Sequence, residues 1–239
     1  MKINAENMSF RELNEKIRAS RGRRVEIENM LGQRYTGSGC TGKDIHISGI
    51  PGNALGAYLT GCDITVYGNA QDAVGDAMND GTITIHGNVG DAAGYGMRDG
   101  KILVKGSAGY RAGIHMKEYM EKKPLMVIGG KTGDFLAEYQ AGGRIIVLGI
   151  GYERECPVGD FCCTGMHGGV MYIRTEHAPE LPAQVLCEDA DKADMKAIKP
   201  DVELFARKFD YDAEELLNSH FFKLTPNTNN PYRRLYVNN

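Results

Sequence analysis

After Gly169 the chain contains no glycine at all, although 31 of its 239 residues are glycine. The usual share is ~7%, so the abrupt loss marks a boundary by composition alone. Other absences narrow the class. No apolar run approaches the ~18 residues of a membrane-spanning helix. The opening stretch MKINAENMSFREL has no apolar signal core or cleavage site, which reads as a cytoplasmic protein. The net charge is −3 with both signs mixed along the chain, so there is no basic stripe of the kind that attracts nucleic acid. The six cysteines follow no disulfide-framework spacing and read as reduced, buried thiols.

What is present is a repeat. Lines beginning at Gly49, Gly68, Gly87 and Gly106 restate one another with a period of 19 residues. Counting each unit from residues 30, 49, 68, 87, 106, 130 and 156, seven units fill 30–174. Two of them are lengthened: the unit from Gly106 has 24 residues, and seven extra residues precede Gly159. Position +7 is small: Gly37, Gly56, Gly75, Gly94, Gly113, then Ala137 and Cys163. Position +10 runs Cys40, Leu59, Met78, Met97, Met116, Gln140, Met166. Positions +15 and +17 are apolar in every unit, from Ile45/Ile47 to Met171/Ile173, and such alternation signals a half-buried strand. A period near twenty with glycine-bearing corners suggests turns stacked one on another. The expectation is an all-β solenoid: a right-handed parallel β-helix of about seven turns. The leucine positions of a leucine-rich repeat are missing, and 19 is not a multiple of the six-residue period of the left-handed helix.

The flanks read differently. Residues 1–24 form a helical lead-in, with Ser9 as N-cap, Glu12 completing a capping box, Phe10, Leu13 and Ile17 on one face, and Gly22 as a closing residue. The β-helix then occupies 25–174. Residues 175–239 hold five of the eight prolines and form a helical and extended tail. Val202, Phe205 and Phe209 share a helical face there. Asp212 caps a second helix running on through His220 and Phe221, and the end from Phe221 is extended and aromatic. Such a tail cannot bury a core alone and must pack on the repeats, on a partner, or on both.

Several clusters invite chemistry. Cys156, Cys162 and Cys163 lack the C-x2-C spacing of zinc and cluster sites, and Cys163 falls in the small column, so they read as core. An aspartate column at +4 (Asp72, Asp91, Asp134, Asp160) is broken by Tyr110, which favours a hydrogen-bonded ladder over a cation site. His115 and His167 beside the +10 column suit corner hydrogen bonds, because no nucleophile is indicated near them. The methionines of that column read as core. The two lengthened loops break the regular surface and could anchor a partner through Tyr119 and Met120 in one and Tyr152 and Arg154 in the other.

The motifs GQRYTGSG, GNALGAYL, GNAQDAVGDAM, GDAAGYGMRDG, GYRAGIHMK and GDFCCTGMHGG resemble the Gly-X-Gly-X-Gly domain at the C-terminus of the glutamate synthase large subunit. The resemblance covers about 25–175. It implies a seven-turn right-handed β-helix and a non-catalytic scaffold subunit of a glutamate-synthase-type oxidoreductase. The complex would convert glutamine, 2-oxoglutarate and reductant to two glutamates. It also implies two partners, a glutamine amidotransferase subunit and an FMN/iron–sulfur synthase subunit. FMN and iron–sulfur clusters are expected in those partners and no cofactor in this chain. The family's β-helix is not known as the seat of chemistry, so no catalytic, cofactor or metal residue carries over. The N-terminal cysteine of the amidotransferase domain is lacking, the first residue being Met and the first cysteine Cys40, and so is an iron–sulfur spacing. The equivalent repeat-bearing subunits of N-methylglutamate synthase and of formylmethanofuran dehydrogenase are the alternative. A stand-alone β-helix enzyme acting on polysaccharide would need an extended charged groove, and none is evident.

Overall fold

A computed structural model describes residues 1–227. In chain order the elements are β1 (Lys2–Asn4), α1 (Phe10–Ala19), β2 (Arg24–Leu31), β3 (Asp44–Ile50), β4 (Cys62–Val66), β5 (Gly81–Ile85) and β6 (Lys101–Val104). They continue with β7 (Leu125–Ile128), β8 (Ala141–Val147), β9 (Gly168–Arg174), β10 (Val185–Asp189), α2 (Lys192–Phe209), α3 (Ala213–Leu217) and β11 (Phe221–Pro226).

These strands correct the expected architecture. The described residues form one mixed sheet of 11 strands in the order β1 to β9, then β11 and β10, with open edges at β1 and β10. Neighbours from β1 to β9 run parallel, while β11 pairs antiparallel with both β9 and β10. This is an α/β-like open sheet with helices rather than a β-helix, and its topology does not support a solenoid. The physical reason lies in the rest of each unit. Every unit supplies one strand, and the remainder is turns and single parallel bridges, Ala70 to Val89, Val89 to Ala108 and Ala108 to Thr132, too short to make a second strand.

Those turns are unusual. In all seven units the residues at +5, +7 and +9 have positive φ, including Tyr58 (56°), Arg111 (58°), His115 (54°), Phe135 (59°) and Tyr139 (55°). A left-handed non-glycine residue costs roughly 1–2 kcal/mol. Hydrogen bonds between units offset that cost. The N–H groups at +5 and +9 donate forward, as in Ala92 N to Tyr110 O (2.8 Å) and Gly96 N to Ile114 O (2.8 Å). The N–H at +7 donates backward, as in Gly94 N to Val74 O (2.7 Å). Each inner unit is thereby tied to both neighbours through three alternating donors, while Gly37 N of the first unit donates to Asn14 Oδ1 of α1 (3.1 Å).

The sheet has two covered faces. Inward residues pair in register, Ile45 to Ile64, Ile83, Ile102, Met126, Ile145 and Met171 in succession, and all are buried. The outward residues Leu103, Val127, Ile146 and Tyr172 form a second core with Ile198, Val202, Phe205 and Phe209 of α2. Fully burying each such apolar side chain is worth ~1.5–3 kcal/mol. Tyr172 donates to Asp194 Oδ1 (2.9 Å), and Asp194 also pairs with Lys223 (2.9 Å). Burial and that carboxylate hold the Tyr172 hydroxyl at about 12. The equivalent outward positions of earlier strands are His46, Thr65 and Thr84, which offer α2 no apolar seat.

The flanks differ in detail from the sequence reading. Ser9 caps α1 in a capping box with Glu12, and Leu13 and Ile17 are buried while Phe10 stays exposed. The helix closes at Ser20, whose N–H reaches Ile17 O, and Gly22 is not left-handed. Asp212 caps α3, but that helix ends at Leu217, and Phe221 enters β11. The extended end beyond 227 lies outside the described residues.

Candidate functional site

The columns singled out in the sequence lie inside the molecule. Gly37, Gly56, Gly75, Gly94 and Gly113 are left-handed, with φ from 63° to 71°. A Cβ at Gly94 would sit 2.3 Å from Met126 Cε and 3.6 Å from Ile102 Cδ1. Met78, Met97, Met116 and Met166 are fully buried in the inner core. None of these residues can meet a ligand without unfolding the interior.

The polar ladders also serve the fold. Asp72 accepts from Asp91 N (3.0 Å), Asp91 from Tyr110 N (2.9 Å), and Asp134 from Asp160 N (3.0 Å). A parallel ladder, unread in the sequence, runs Asn69 to Asn88 N (2.8 Å) and Asn88 to Ser107 N (2.8 Å). Cys162 and Cys163 are buried with their sulfurs 3.7 Å apart, and the shared hydrogen bond and burial push the Cys162 thiol up. Cys40 and Cys62 form a second thiol pair. Its hydrogen bond brings Cys40 down to about 7 and raises Cys62. Among the described residues, no three His, Cys, Asp or Glu side chains gather as a metal site would need. His167 Nδ1 lies 3.0 Å from Gly165 O.

The exposed face of the turns carries what the sequence reading missed. The left-handed backbone at +5 and +9 points its side chains outward, and in the later units these are large. Arg111 lies 5.2 Å above the Phe135 ring, and Phe135 stacks on Phe161 at 5.0 Å and 16°. Beside them His115 stacks on Tyr139 at 5.1 Å and meets Tyr95 edge-on at 5.8 Å. Phe161 is 60% exposed, and Tyr58, Tyr95 and Tyr110 are exposed as well. Exposed aromatics stacked with arginine are the usual anchors of protein interfaces. The equivalent +5 residues of three earlier units are alanine: Ala54, Ala73 and Ala92.

The structure keeps the two lengthened loops apart. Lys117–Pro124 folds as a small hairpin in which Tyr119 and Lys122 exchange backbone hydrogen bonds of 3.0 Å. Tyr119 and Met120 are 67% and 76% exposed at its tip. Its base is fixed by Gly143 N donating to Glu118 Oε2 (3.0 Å), at the start of β8. The second loop packs at the far end of β8. Ile150 N bonds Gly129 O (2.8 Å) and Thr132 N bonds Pro157 O (2.9 Å). Tyr152 there is half-buried beneath Lys131 Nζ at 4.7 Å, while Arg154 is exposed. Seven residues of strand put the two loops roughly 20 Å apart, so they belong to separate surfaces.

With this geometry in view, comparisons give the chain its relatives. The family model described as the GXGXG motif matches residues 6–227. An uncharacterized protein of Methanocaldococcus jannaschii is 42% identical over 249 aligned positions, covering 98% of this chain and 95% of that protein. A chain of the formyltransferase/hydrolase complex of Methylorubrum extorquens, solved with methylofuran, superimposes with a TM-score of 0.68 at 19% identity. The match covers 95% of this chain and 91% of that one. At that identity the likeness is one of fold. Among the described residues no helix is long and apolar enough to cross a membrane.

Proposed function

The chain belongs to the GXGXG motif family, the family of the glutamate synthase C-terminal domain, and we propose that it is a non-catalytic subunit of a glutamate-synthase-type oxidoreductase. In this reading it holds a glutamine amidotransferase subunit and an FMN/iron–sulfur synthase subunit in register, and those partners carry the cofactors and the chemistry. The observation that carries the reading is how the polar groups are used. Turn amides and the Asn, Asp and Ser side chains bind the next unit, and the interior is filled with Ile, Val and Met. The outside carries the arginine–aromatic face and two separate loops, surfaces suited to gripping proteins.

A second reading is favoured by the structural likeness to the formyltransferase/hydrolase complex. There the chain would be the corresponding subunit of a formyl-transferring complex, or of an N-methylglutamate synthase. Tagged protein separates the two by which chains it captures. Replacing Tyr119–Lys123 with Gly-Ser, shortening 151–157, and combining Arg111→Ala with Phe161→Ala should each weaken capture of at least one partner. Wild-type capture of both partners by all three variants would refute the assignment of these surfaces.

A further inference from the structure

Two parts of the chain that depart from the repeat, the hairpin at Lys117–Pro124 and α2, converge on one place. They wall a cleft of about 460 Å³ over the outer face of the sheet at the start of β6 to β9. The sheet register lines up its floor. Lys101 is paired to Leu125, Leu125 to Arg144, and Arg144 to Val170. Neighbouring strands lie ~4.8 Å apart, so Lys101 and Arg144 start roughly 10 Å apart on either side of an apolar Leu125. Lys123 enters from the hairpin side, and Asp201 stands on α2.

The charges there are unequally committed. Asp201 is paired with Arg144, whose Nη1 also donates to Ala197 O (3.1 Å). Glu118 is held by the Gly143 amide. Asp201 is thus neutralised by an ion pair, while Glu118 is hydrogen-bonded and keeps its charge. Neither Lys101 nor Lys123 has a carboxylate within ion-pairing distance among the described residues. Arg144 Nε is buried without an acceptor, and buried donors are nearly always paired. Three cations face two carboxylates around an apolar floor, which leaves the cleft one net positive charge. The volume lies within the ~300–1,000 Å³ of small-molecule sites, whose walls are apolar with a few convergent polar groups.

We propose that this cleft binds a small dicarboxylate anion. The two free ammonium groups take one carboxylate each, or one takes a carboxylate while the Arg144 guanidinium shifts to bind the other. The methylene chain between them lies over Leu125. The inference does not depend on which complex the chain serves.

The test titrates the full chain with succinate, glutarate and inorganic phosphate, read by calorimetry and by the amide shifts of Gly143 and Gly169. A saturable dicarboxylate isotherm is expected that moves these two amides. Lys101→Ala with Lys123→Ala should weaken it at least ~10-fold, about 1.4 kcal/mol. Both lysines are exposed, so the double variant should keep the wild-type melting temperature, and Lys101→Glu provides an independent second variant. Three results would overturn the proposal: no saturable binding of either dicarboxylate at ~10 mM, a range weaker than the ~1 mM affinity worth about 4 kcal/mol; unchanged affinity in the double variant and in Lys101→Glu; or phosphate binding more tightly than both dicarboxylates.

Discussion

Gly81→Ala should be far more damaging than Gly94→Ala, although both glycines have positive φ. At Gly94 (φ 71°) the added Cβ meets the Cε of Met126 at 2.3 Å, the far end of a flexible side chain. The same column already holds Ala137 at φ 58° and Cys163 at φ 59°. The cost at Gly94 is therefore mainly the backbone conformation, roughly 1–2 kcal/mol. At Gly81 (φ 103°) the Cβ would lie 2.1 Å from the Cys62 carbonyl oxygen and 2.9 Å from the Cys62 nitrogen. No rotamer relieves that contact, because Cys62 is paired to Gly81 across β4 and β5. The two strands must part, which belongs with the exceptional losses above ~4 kcal/mol. For a chain of this size each kcal/mol moves the melting temperature by about 2–4 °C. Thermal unfolding should then show a fall of about 2–8 °C for Gly94→Ala, with Gly94→Val worse by the ~1–3 kcal/mol of overpacking. Gly81→Ala should fall further than either or fail to fold. A Gly81→Ala protein melting within ~2 °C of wild type, or one more stable than Gly94→Ala, would refute the close approach of the two strands at Gly81 as the deciding contact.

Three further outcomes follow from particular contacts. Phe205→Ala removes a fully buried ring that packs edge-on against Phe209 at 4.8 Å, and should cost ~3–5 kcal/mol; hydrogen exchange should quicken in α2 while β3 to β5 keep their protection. Asp91→Ala removes the acceptor for Tyr110 N and should cost about 0.5–1.5 kcal/mol, whereas Asp91→Asn should be nearly neutral because Asn69 and Asn88 make the same bond; equal losses in denaturant unfolding would contradict the ladder. His220 presents its two ring nitrogens to acceptors alone, Thr175 O at 2.7 Å and Asp189 Oδ1 at 3.0 Å, and these raise its pKa above 6.5. A raised folded pKa gives stability that is complete below the unfolded value and is lost as pH climbs through the folded one. The melting-temperature gap between wild type and His220→Gln should therefore narrow from pH 5.5 to pH 8.5, roughly one unit below to two above the reference value, and a gap that widens would contradict the doubly protonated ring.

The period and the inward columns were legible because each inward position repeats against its own equivalent. Ile45, Ile64 and Ile83 are paired as their spacing implies. The architecture built on them was not. A repeat of 19 reports that units lie side by side, but not how many strands each contributes, and here each contributes one to an open sheet. The left-handed residues at +5 and +9 were illegible for a physical reason. Tyr58, Arg111, His115 and Phe135 are side chains that avoid positive φ in isolation, and only the bonds between units hold them there. The seat of α2 was present but unread. The outward residues change from His46, Thr65 and Thr84 to Leu103, Val127, Ile146 and Tyr172, and strands apolar on both faces are strands covered on both faces. The extended end read from Phe221 is where β11 begins, but β10 went unread because only Val185 of its five residues is buried, so it lacks the alternation of a half-buried strand.

The most direct test of the central claim is reconstitution. The chain should be co-expressed with a glutamine amidotransferase subunit and an FMN/iron–sulfur synthase subunit, and glutamine-dependent glutamate formation measured with and without it. The account predicts a stable three-chain complex whose coupled activity falls when this chain is omitted, while glutaminase and synthase activities persist in the separate partners. Full coupled activity from the two partners alone, with this chain eluting apart from them, would contradict it.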